Sequence, residues 1–147
     1  MAGIYLHIPY CKQKCNYCNF HFSTNTKNVN EMIDAMLIEI ENKKSYLLVE
    51  EIETIYFGGG TPSFIQTSHI NSLIKKIFSL YQVKADAEIT LELNPDDISE
   101  KKLRELKSTG INRLSIGVQS FHDEDLKFMN RSHDGNMARK SIAIAKK

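Results

Sequence analysis

Three cysteines, Cys11, Cys15 and Cys18, lie close together and are the only cysteines among the 147 residues. Their C-x3-C-x2-C spacing points three thiolates at one small volume, directly after an apolar run. A disulfide framework normally uses an even number of cysteines, whereas three clustered thiolates suit an inorganic centre, above all an iron-sulfur cluster with one iron left open. Two alternatives stay open, namely a zinc site completed by His7 or His21 and a set of inert buried thiols.

Further residues that could bind a ligand follow the later apolar runs. In the sequence GGGTP, missing side chains let backbone groups approach a ligand closely, although the glycines could also form a simple tight turn. Glu92 lies in an apolar run, so its carboxylate either sits at an exposed end or accepts hydrogen bonds from ligand hydroxyls or an amine. Gln119 has the same two interpretations. Arg131 belongs either to a surface ion pair or to a bidentate clamp on a ligand carboxylate.

Apolar runs of strand length alternate with segments of helical period. The pattern predicts strands at residues 4–8, 54–60, 89–93 and 113–119. It predicts helices at about residues 30–47 and 70–78, from the N-cap Ser99 to the stop at Gly110, at 123–129, and from about Asp134 onward. The residues predicted to face the core from these helices are Met32, Ile33, Met36, Leu37, Ile40, Ile70, Leu73, Ile74, Ile77, Phe78, Leu103, Leu106, Ala138, Ile142 and Ala145.

This alternation, with strands too apolar to face water on either side, indicates an α/β fold with a parallel sheet and about four βα units. In such folds ligands bind at the carboxyl ends of the strands. The cysteines, the triple glycine, Glu92 and Gln119 all lie at such ends, so we expect them to meet. The length suits one domain over residues 1–147. Because the last helical pattern has no stop signal, we expect a domain truncated at its carboxyl end, with the fourth strand as an exposed edge.

Composition narrows the partners and the compartment. Nineteen Lys and Arg against eighteen Asp and Glu leave a net charge of +1, and the lysines are interleaved with glutamates, so the sequence predicts no nucleic-acid partner. The amino terminus lacks a signal-peptide pattern, and no run approaches the roughly 18 apolar residues of a transmembrane helix. Free clustered thiols indicate a reducing compartment, so we predict a cytoplasmic protein.

The sequence around the cysteines, IYLHIPYCKQKCNYC, resembles the radical S-adenosylmethionine (SAM) superfamily, for which C-x3-C-x2-C is the specific motif. Within that superfamily, FGGGTP, ELNP and RLSIGVQSF closely resemble the oxygen-independent coproporphyrinogen III oxidase group. The resemblance runs through nearly all of the chain. It implies the amino-terminal part of a partial (βα)6 barrel that belongs to a longer protein.

The resemblance also implies a role for each site residue. The three cysteines would ligate three irons of a 4Fe-4S cluster, and the amino and carboxylate groups of SAM would bind the fourth. The residues implied to line the cofactor are Tyr5 and Tyr17 on the cluster and adenine side, Gly59, Gly60 and Thr61 at the amine, Glu92 and Gln119 toward the ribose, and Arg131 at the carboxylate. In active members, an electron from the reduced cluster cleaves the sulfonium, and this chemistry belongs to the cofactor.

One departure from the group's pattern bears on function. The oxidases of the group resemble C-x3-C-x2-C-x-C, whereas this sequence has Phe20 at the position of the further cysteine. That pattern is more similar to the haem chaperones of the group, which carry haem as cargo to haem proteins such as those of the respiratory chain. We therefore predict a haem chaperone, with a coproporphyrinogen III oxidase as the alternative. An electron donor such as a flavodoxin or ferredoxin is implied, and the features expected to bind haem lie beyond Lys147.

Overall fold

Four strands with intervening helices make up this computed structural model, which describes residues 2–47 and 51–146. The strands are β1 (Gly3–Ile8), β2 (Glu51–Gly59), β3 (Gln82–Leu93) and β4 (Arg113–Ile116). The helices are α1 (Val29–Asn42), α2 (Thr67–Leu80), α3 (Glu100–Ser108), α4 (Asp123–Phe128) and α5 (Gly135–Ala145). Short 3-10 turns occupy Lys44–Tyr46, Pro62–Phe64 and Pro95–Asp97.

The sheet is parallel throughout, and its spatial order β1-β2-β3-β4 is the order of the strands in the sequence. Each strand therefore pairs with the strand of the preceding βα unit. This arrangement confirms the predicted α/β class with four βα units, and it brings all four strand ends to one edge of the sheet. β4 lies at one side of the sheet, as expected, and β1 lies at the other.

The two faces of the sheet differ in chemistry. The outer face carries the large apolar residues of the strands, among them Leu6, Ile55, Phe57, Leu91 and Leu114, and packs against α1, α2 and α3. The inner face carries laterally paired polar residues, namely Tyr5, His7, Thr54, Tyr56, Glu88, Thr90, Glu92, Arg113 and Ser115. The expectation that both faces are apolar was therefore wrong, because the strand residues alternate with a period of two.

Three strands have boundaries that differ from the prediction by three residues or more, and the first is β2, which starts at Glu51 rather than at residue 54. β3 starts at Gln82 rather than at residue 89, because its polar first half still pairs with β2, where Lys84 Nζ lies 2.5 Å from Glu53 Oε1. β4 ends at Ile116 rather than at residue 119. Beyond it, the N–H of Val118 donates to Ile116 O and the N–H of Ser120 donates to Val118 O, a pattern that turns the chain out of the sheet.

The helices follow the prediction with small differences. Ser99 caps α3 by accepting from the Lys102 N–H, and Asp134 caps α5 by accepting from the Met137 N–H. Gly110, with φ +102°, ends the α3 segment. α1 stops at Asn42 instead of residue 47, and Phe78 is exposed although it was predicted in the core. Within the described residues, no helix has both the length and the hydropathy needed to cross a membrane.

Candidate functional site

A cavity of about 370 Å³ lies at the carboxyl ends of the strands. Its volume falls within the range of small-molecule and cofactor pockets, about 300–1,000 Å³. The predicted site residues that line it are Cys11, Cys15, Tyr17, Cys18, Gly59, Gly60, Thr61, Glu92, Gln119 and Arg131. Phe20 lines it as well. Tyr5 was also predicted at the site, but it lies on the inner face below the cavity and does not line it.

The cysteine loop, residues 11–23, is closed at its base by backbone hydrogen bonds. The Cys11 N–H donates to Ser23 O at 3.0 Å, and the Ser23 N–H donates to Pro9 O at 2.7 Å. The three cysteines are free thiols and half-buried. Burial raises the pKa of the Cys11 thiol, and the Thr61 hydroxyl opposes this rise by donating to its sulfur over 3.6 Å. The loop is therefore a fixed feature of the fold that presents its thiols to the cavity.

The donor set at the cavity consists of three cysteine thiols, the number that an iron-sulfur cluster with one open iron uses. Among the described residues, no three His, Cys, Asp or Glu side chains are grouped so that they could hold one metal ion. A zinc ion would need its sulfur ligands about 2.3 Å away, whereas each cysteine of an iron-sulfur cluster binds a different iron. Neither His7 nor His21 lines the cavity, and the two ring nitrogens of His7 contact Tyr5 Oη and His21 O.

Gly60, directly after β2, allows this segment to lie in contact with Tyr10, which precedes the cysteine loop. A Cβ atom on Gly60 would be 2.7 Å from Tyr10 O and 2.8 Å from Tyr10 N, so a larger residue would push the cysteine loop away. The N–H groups of Gly60 and Thr61 already donate to Ile8 O and Tyr10 O. The amine of a bound ligand is itself a donor, so this segment could receive it only through carbonyl oxygens or the Thr61 hydroxyl.

Arg131 joins the cysteine loop to the ends of β3 and β4. Its Nη1 lies 3.3 Å from Cys15 Sγ and 3.3 Å from Tyr17 Oη, and its Nη2 donates to Asn94 Oδ1 at 2.6 Å and to Gly117 O at 2.7 Å. The Nε atom is buried and has no partner in the described part of the chain. Of the two interpretations of Arg131, a simple surface ion pair is wrong, because its contacts are all within the site.

Glu92 is oriented by a tyrosine on the neighbouring strand. The Tyr56 hydroxyl donates to Glu92 Oε1 at 2.7 Å, and this hydrogen bond, together with burial, raises the pKa of Tyr56. The Tyr5 ring stacks on the Tyr56 ring with centroids 6.0 Å apart. Burial and the nearby charge of Glu92 raise the pKa of Tyr5. Both phenols therefore stay protonated at neutral pH, and the second oxygen of Glu92 could accept hydrogen bonds from a ligand.

Gln119 lies in an unfavourable backbone conformation. Its φ is +66°, and the N–H of Ser120 donates to Val118 O across it, as in a γ-turn. A left-handed conformation is uncommon for a residue that is not glycine, and such strain is found most often at functional sites. In this conformation the Gln119 side chain lines the cavity.

Two residues that orient the site were not among the predicted site residues. Asn94 accepts from Arg131 and donates from Nδ2 to Thr61 Oγ1 at 3.1 Å, so it links two predicted ligand contacts. Its position just before Pro95, at the end of a predicted strand, was the available signal. Tyr56 was taken as part of a buried apolar strand, and its alternation with Ile55 and Phe57 was the signal for an inner-face residue.

The parallel sheet, with three cysteines at a cavity on the carboxyl ends of its strands, defines an α/β protein with a candidate cofactor site at that edge. Residues 5–147 match the sequence model of the radical SAM superfamily, and the chain belongs to that superfamily. It is 37% identical over 147 residues to the haem chaperone HemW of Buchnera aphidicola subsp. Schizaphis graminum and 35% identical over 145 residues to HemW of Escherichia coli K12. These matches cover 99% and 97% of the chain.

A solved structure also places the chain among radical SAM proteins. Coproporphyrinogen III oxidase (HemN) from Escherichia coli, described as a radical SAM enzyme, superposes with a TM-score of 0.89 and 30% identity over 99% of this chain. The chain spans 39% and 38% of the lengths of the two HemW relatives and 34% of the HemN chain. The match confirms the predicted fold as part of the radical SAM barrel.

Proposed function

We propose that this chain is the amino-terminal part of a haem chaperone of the radical SAM type. In this proposal the protein binds a 4Fe-4S cluster and SAM and delivers haem to acceptor haem proteins. The observation that carries the proposal is Phe20, which lines the cavity and is 69% exposed. It occupies the position of the fourth cysteine in the oxidase pattern C-x3-C-x2-C-x-C. A phenyl ring can neither ligate iron nor transfer a proton. The names of the HemW relatives support the same function.

The site residues have defined roles in the proposal. Cys11, Cys15 and Cys18 ligate three irons, and the Arg131 guanidinium and the Thr61 hydroxyl donate to two of these sulfurs. Hydrogen bonds to cysteine sulfurs tune the potential and stability of such centres. When bound, the cluster supplies one-electron chemistry at the sulfonium of SAM.

The contacts to SAM come from the remaining residues of the cavity. Carbonyl oxygens of the segment from Gly59 to Thr61 accept from the amine, while Glu92 and Gln119 accept from the ribose. Arg131, whose buried Nε has no hydrogen-bond partner among the described residues, binds the carboxylate. Tyr17 lines the cluster and adenine side, and Tyr5 supports Glu92 from the inner face through Tyr56.

A second candidate function is oxygen-independent coproporphyrinogen III oxidase. It is favoured by the likeness to HemN at 30% identity and a TM-score of 0.89. In both proposals the protein is cytoplasmic, and a flavodoxin or ferredoxin supplies the electron. In the chaperone proposal alone, the partners are haem and haem-accepting proteins such as those of the respiratory chain.

The deciding experiment uses the full natural protein that contains this sequence, with its cluster reconstituted anaerobically. One assay supplies SAM, reductant and coproporphyrinogen III and measures protoporphyrinogen IX and 5'-deoxyadenosine. The other loads the protein with haem and follows transfer to an apo haem subunit of the respiratory chain. Cys15→Ser is the cluster-deficient control, and Phe20→Cys tests the position that separates the two functions.

We expect haem transfer without formation of protoporphyrinogen IX. Turnover above that of the Cys15→Ser variant would replace the chaperone with the oxidase. A protein with an intact cluster that neither transfers haem nor consumes coproporphyrinogen III would overturn both candidates.

A further inference from the structure

The cysteine loop is held from outside the cavity by the last residue of α4 and the two residues that follow it. These residues, 128–130, are here called the clasp, and they make hydrogen bonds with the loop in both directions. The loop residues involved lie between Cys11 and Tyr17. The clasp is therefore positioned to control the shape of the part of the loop that spaces the first two cysteines.

Loop and clasp each donate to backbone carbonyls of the other. Asn16 donates from its N–H to Met129 O at 3.1 Å and from Nδ2 to Phe128 O at 2.6 Å. Gln13 Nε2 donates to Asn130 O at 2.7 Å, and Asn130 Nδ2 donates to Lys14 O at 2.6 Å. Reciprocal contacts of this kind fix both distance and register, because neither segment can slide without breaking bonds on both sides.

The conformation of Asn130 explains how the clasp is directed at the loop. Its φ is +55°, its N–H donates to Lys127 O at 3.0 Å, and the next N–H, that of Arg131, donates to Leu126 O at 2.8 Å. This is the Schellman pattern, in which a left-handed residue ends a helix. Asparagine tolerates the left-handed conformation better than other residues with a side chain, and its amide then reaches the Lys14 carbonyl.

We propose that Asn130 is a positioning residue for the cluster ligands, which acts by clasping the cysteine loop and slowing loss of the bound cluster. The proposal rests on the cluster-binding part of the proposed function and not on haem delivery. Asn130 and Asn16 do not line the cavity, so neither is placed to touch SAM. Their effect passes through the backbone between Cys11 and Cys15, as expected of groups that orient metal ligands.

The test measures cluster loss from the full holoprotein. Asn130→Gly keeps the left-handed backbone accessible and removes only the amide, whereas Asn130→Ala also adds backbone strain. Asn16→Ala removes the side-chain bond from the opposite partner. The matched control is Asn19→Ala in the same loop, since Asn19 is exposed and has no hydrogen bond among the described residues. Excess EDTA is added anaerobically, and the decay of the cluster absorbance gives the release rate.

We expect Asn130→Gly and Asn16→Ala each to release iron roughly three- to tenfold faster than the parent, the effect of one net hydrogen bond. We expect Asn130→Ala to be faster still. The electron paramagnetic resonance spectrum of the reduced cluster should broaden in the clasp variants, while the melting temperature of the Asn130→Gly and Asn16→Ala apoproteins changes little. A merely structural role would instead lower the melting temperature and leave the spectrum unchanged.

Equal release rates in Asn130→Gly and the parent would overturn the proposal. An equal acceleration in Asn19→Ala would do the same, because the effect would then belong to any change in the loop. Failure of the haem-delivery proposal has a different signature, namely absent haem transfer from a protein whose cluster is intact, and the release rates do not depend on it.

Discussion

The outer and inner faces of the sheet are formed by the same strands but differ in role. The outer face packs into the core, and the inner face carries polar side chains that orient the candidate site. On β2, Ile55 and Phe57 face outward and are fully buried, whereas Tyr56 between them faces inward and orients Glu92. The polar side chains of the inner face hydrogen-bond to one another. For example, Arg113 Nη1 lies 3.3 Å from Thr90 Oγ1 and 3.5 Å from Glu88 Oε1. Because side chains alternate along a strand, stability and ligand binding depend on alternate residues and should be separable by mutation.

The largest expected effect is on the outer face. Phe57→Ala should destabilise the protein by about 3–5 kcal/mol, because it removes a fully buried ring from the core and leaves a cavity. Urea denaturation of the apoprotein measures the change. Its inner-face neighbour Tyr56→Phe keeps the ring and should cost no more than about 1.5 kcal/mol. Similar losses in the two variants would show that the faces are not separable.

The next effect belongs to the inner face. Glu92→Gln should weaken SAM binding by roughly 10- to 100-fold, because charged hydrogen bonds are worth about 1.5–3 kcal/mol, and should leave the unfolding midpoint almost unchanged. Isothermal titration calorimetry on the reconstituted protein gives the dissociation constant. Glu88→Gln is the matched control on the same strand and face, since Glu88 bonds only to protein groups. Equal weakening by Glu88→Gln would assign the effect to the general charge of the inner face.

Substitution of Gln119 should affect folding stability and SAM binding in opposite directions. Gln119→Gly relieves the positive φ and should stabilise the protein by about 1 kcal/mol while weakening SAM binding. Gln119→Ala removes the same amide but keeps the strain, so it should weaken binding without the gain in stability. Denaturation and titration of the two variants provide the comparison. A stability gain in both would mean that the side chain, and not the backbone, carries the cost.

The smallest effect concerns the rim where the cysteine loop meets the end of β3. Lys12 Nζ lies 3.0 Å from Asp96 Oδ2. Burial opposes ionisation, but hydrogen bonds from Lys12 and Ser132 prevail and lower the pKa of Asp96. The stabilising contribution of the ionised Asp96 carboxylate is therefore present above the pKa of the unfolded chain, about 3.9. It is lost as the pH falls through the lower pKa of the folded protein.

Asp96→Asn should accordingly lower stability at pH 7 by about 1 kcal/mol and have little effect at acid pH below the folded pKa. Urea denaturation at a series of pH values measures this dependence. The exposed residue Asp34, whose side chain makes no hydrogen bond in the described part of the chain, supplies the control Asp34→Asn. A loss for Asp96→Asn that is the same at every pH would contradict the assigned pKa shift.

Local sequence signals were sufficient for the parts of the molecule that depend on neighbouring residues. The cysteine spacing, the Ser99 cap, the helix start near Asp134 and the Gly110 stop each act over a few residues, and all of these elements lie where they were predicted. The carboxyl-end rule for parallel sheets then brought ten of the eleven predicted site residues to one cavity. What those residues do chemically remains a prediction.

The remaining features depend on contacts between residues far apart in sequence. The polar start of β3 has weak strand propensity and forms because β2 offers a partner and an ion pair. The contact between Arg131 and Cys15 spans 116 residues, and no local pattern specifies it. The position of Tyr5 on the inner face below the cavity follows from the register of β1 against β2, which periodicity alone does not determine.

The distance in sequence between the loop and its clasp also sets an order of events during synthesis. The hydrogen bonds that join them connect residues 112 to 117 positions apart. At about 5–20 residues per second, the ribosome needs about 6 to 23 s to make that stretch of chain. During this interval the three thiols have emerged without the contacts that shape them, and they are open to oxidants and soft metal ions. Iron and sulfide delivered after the fourth βα unit has folded would meet a loop already held in its final shape.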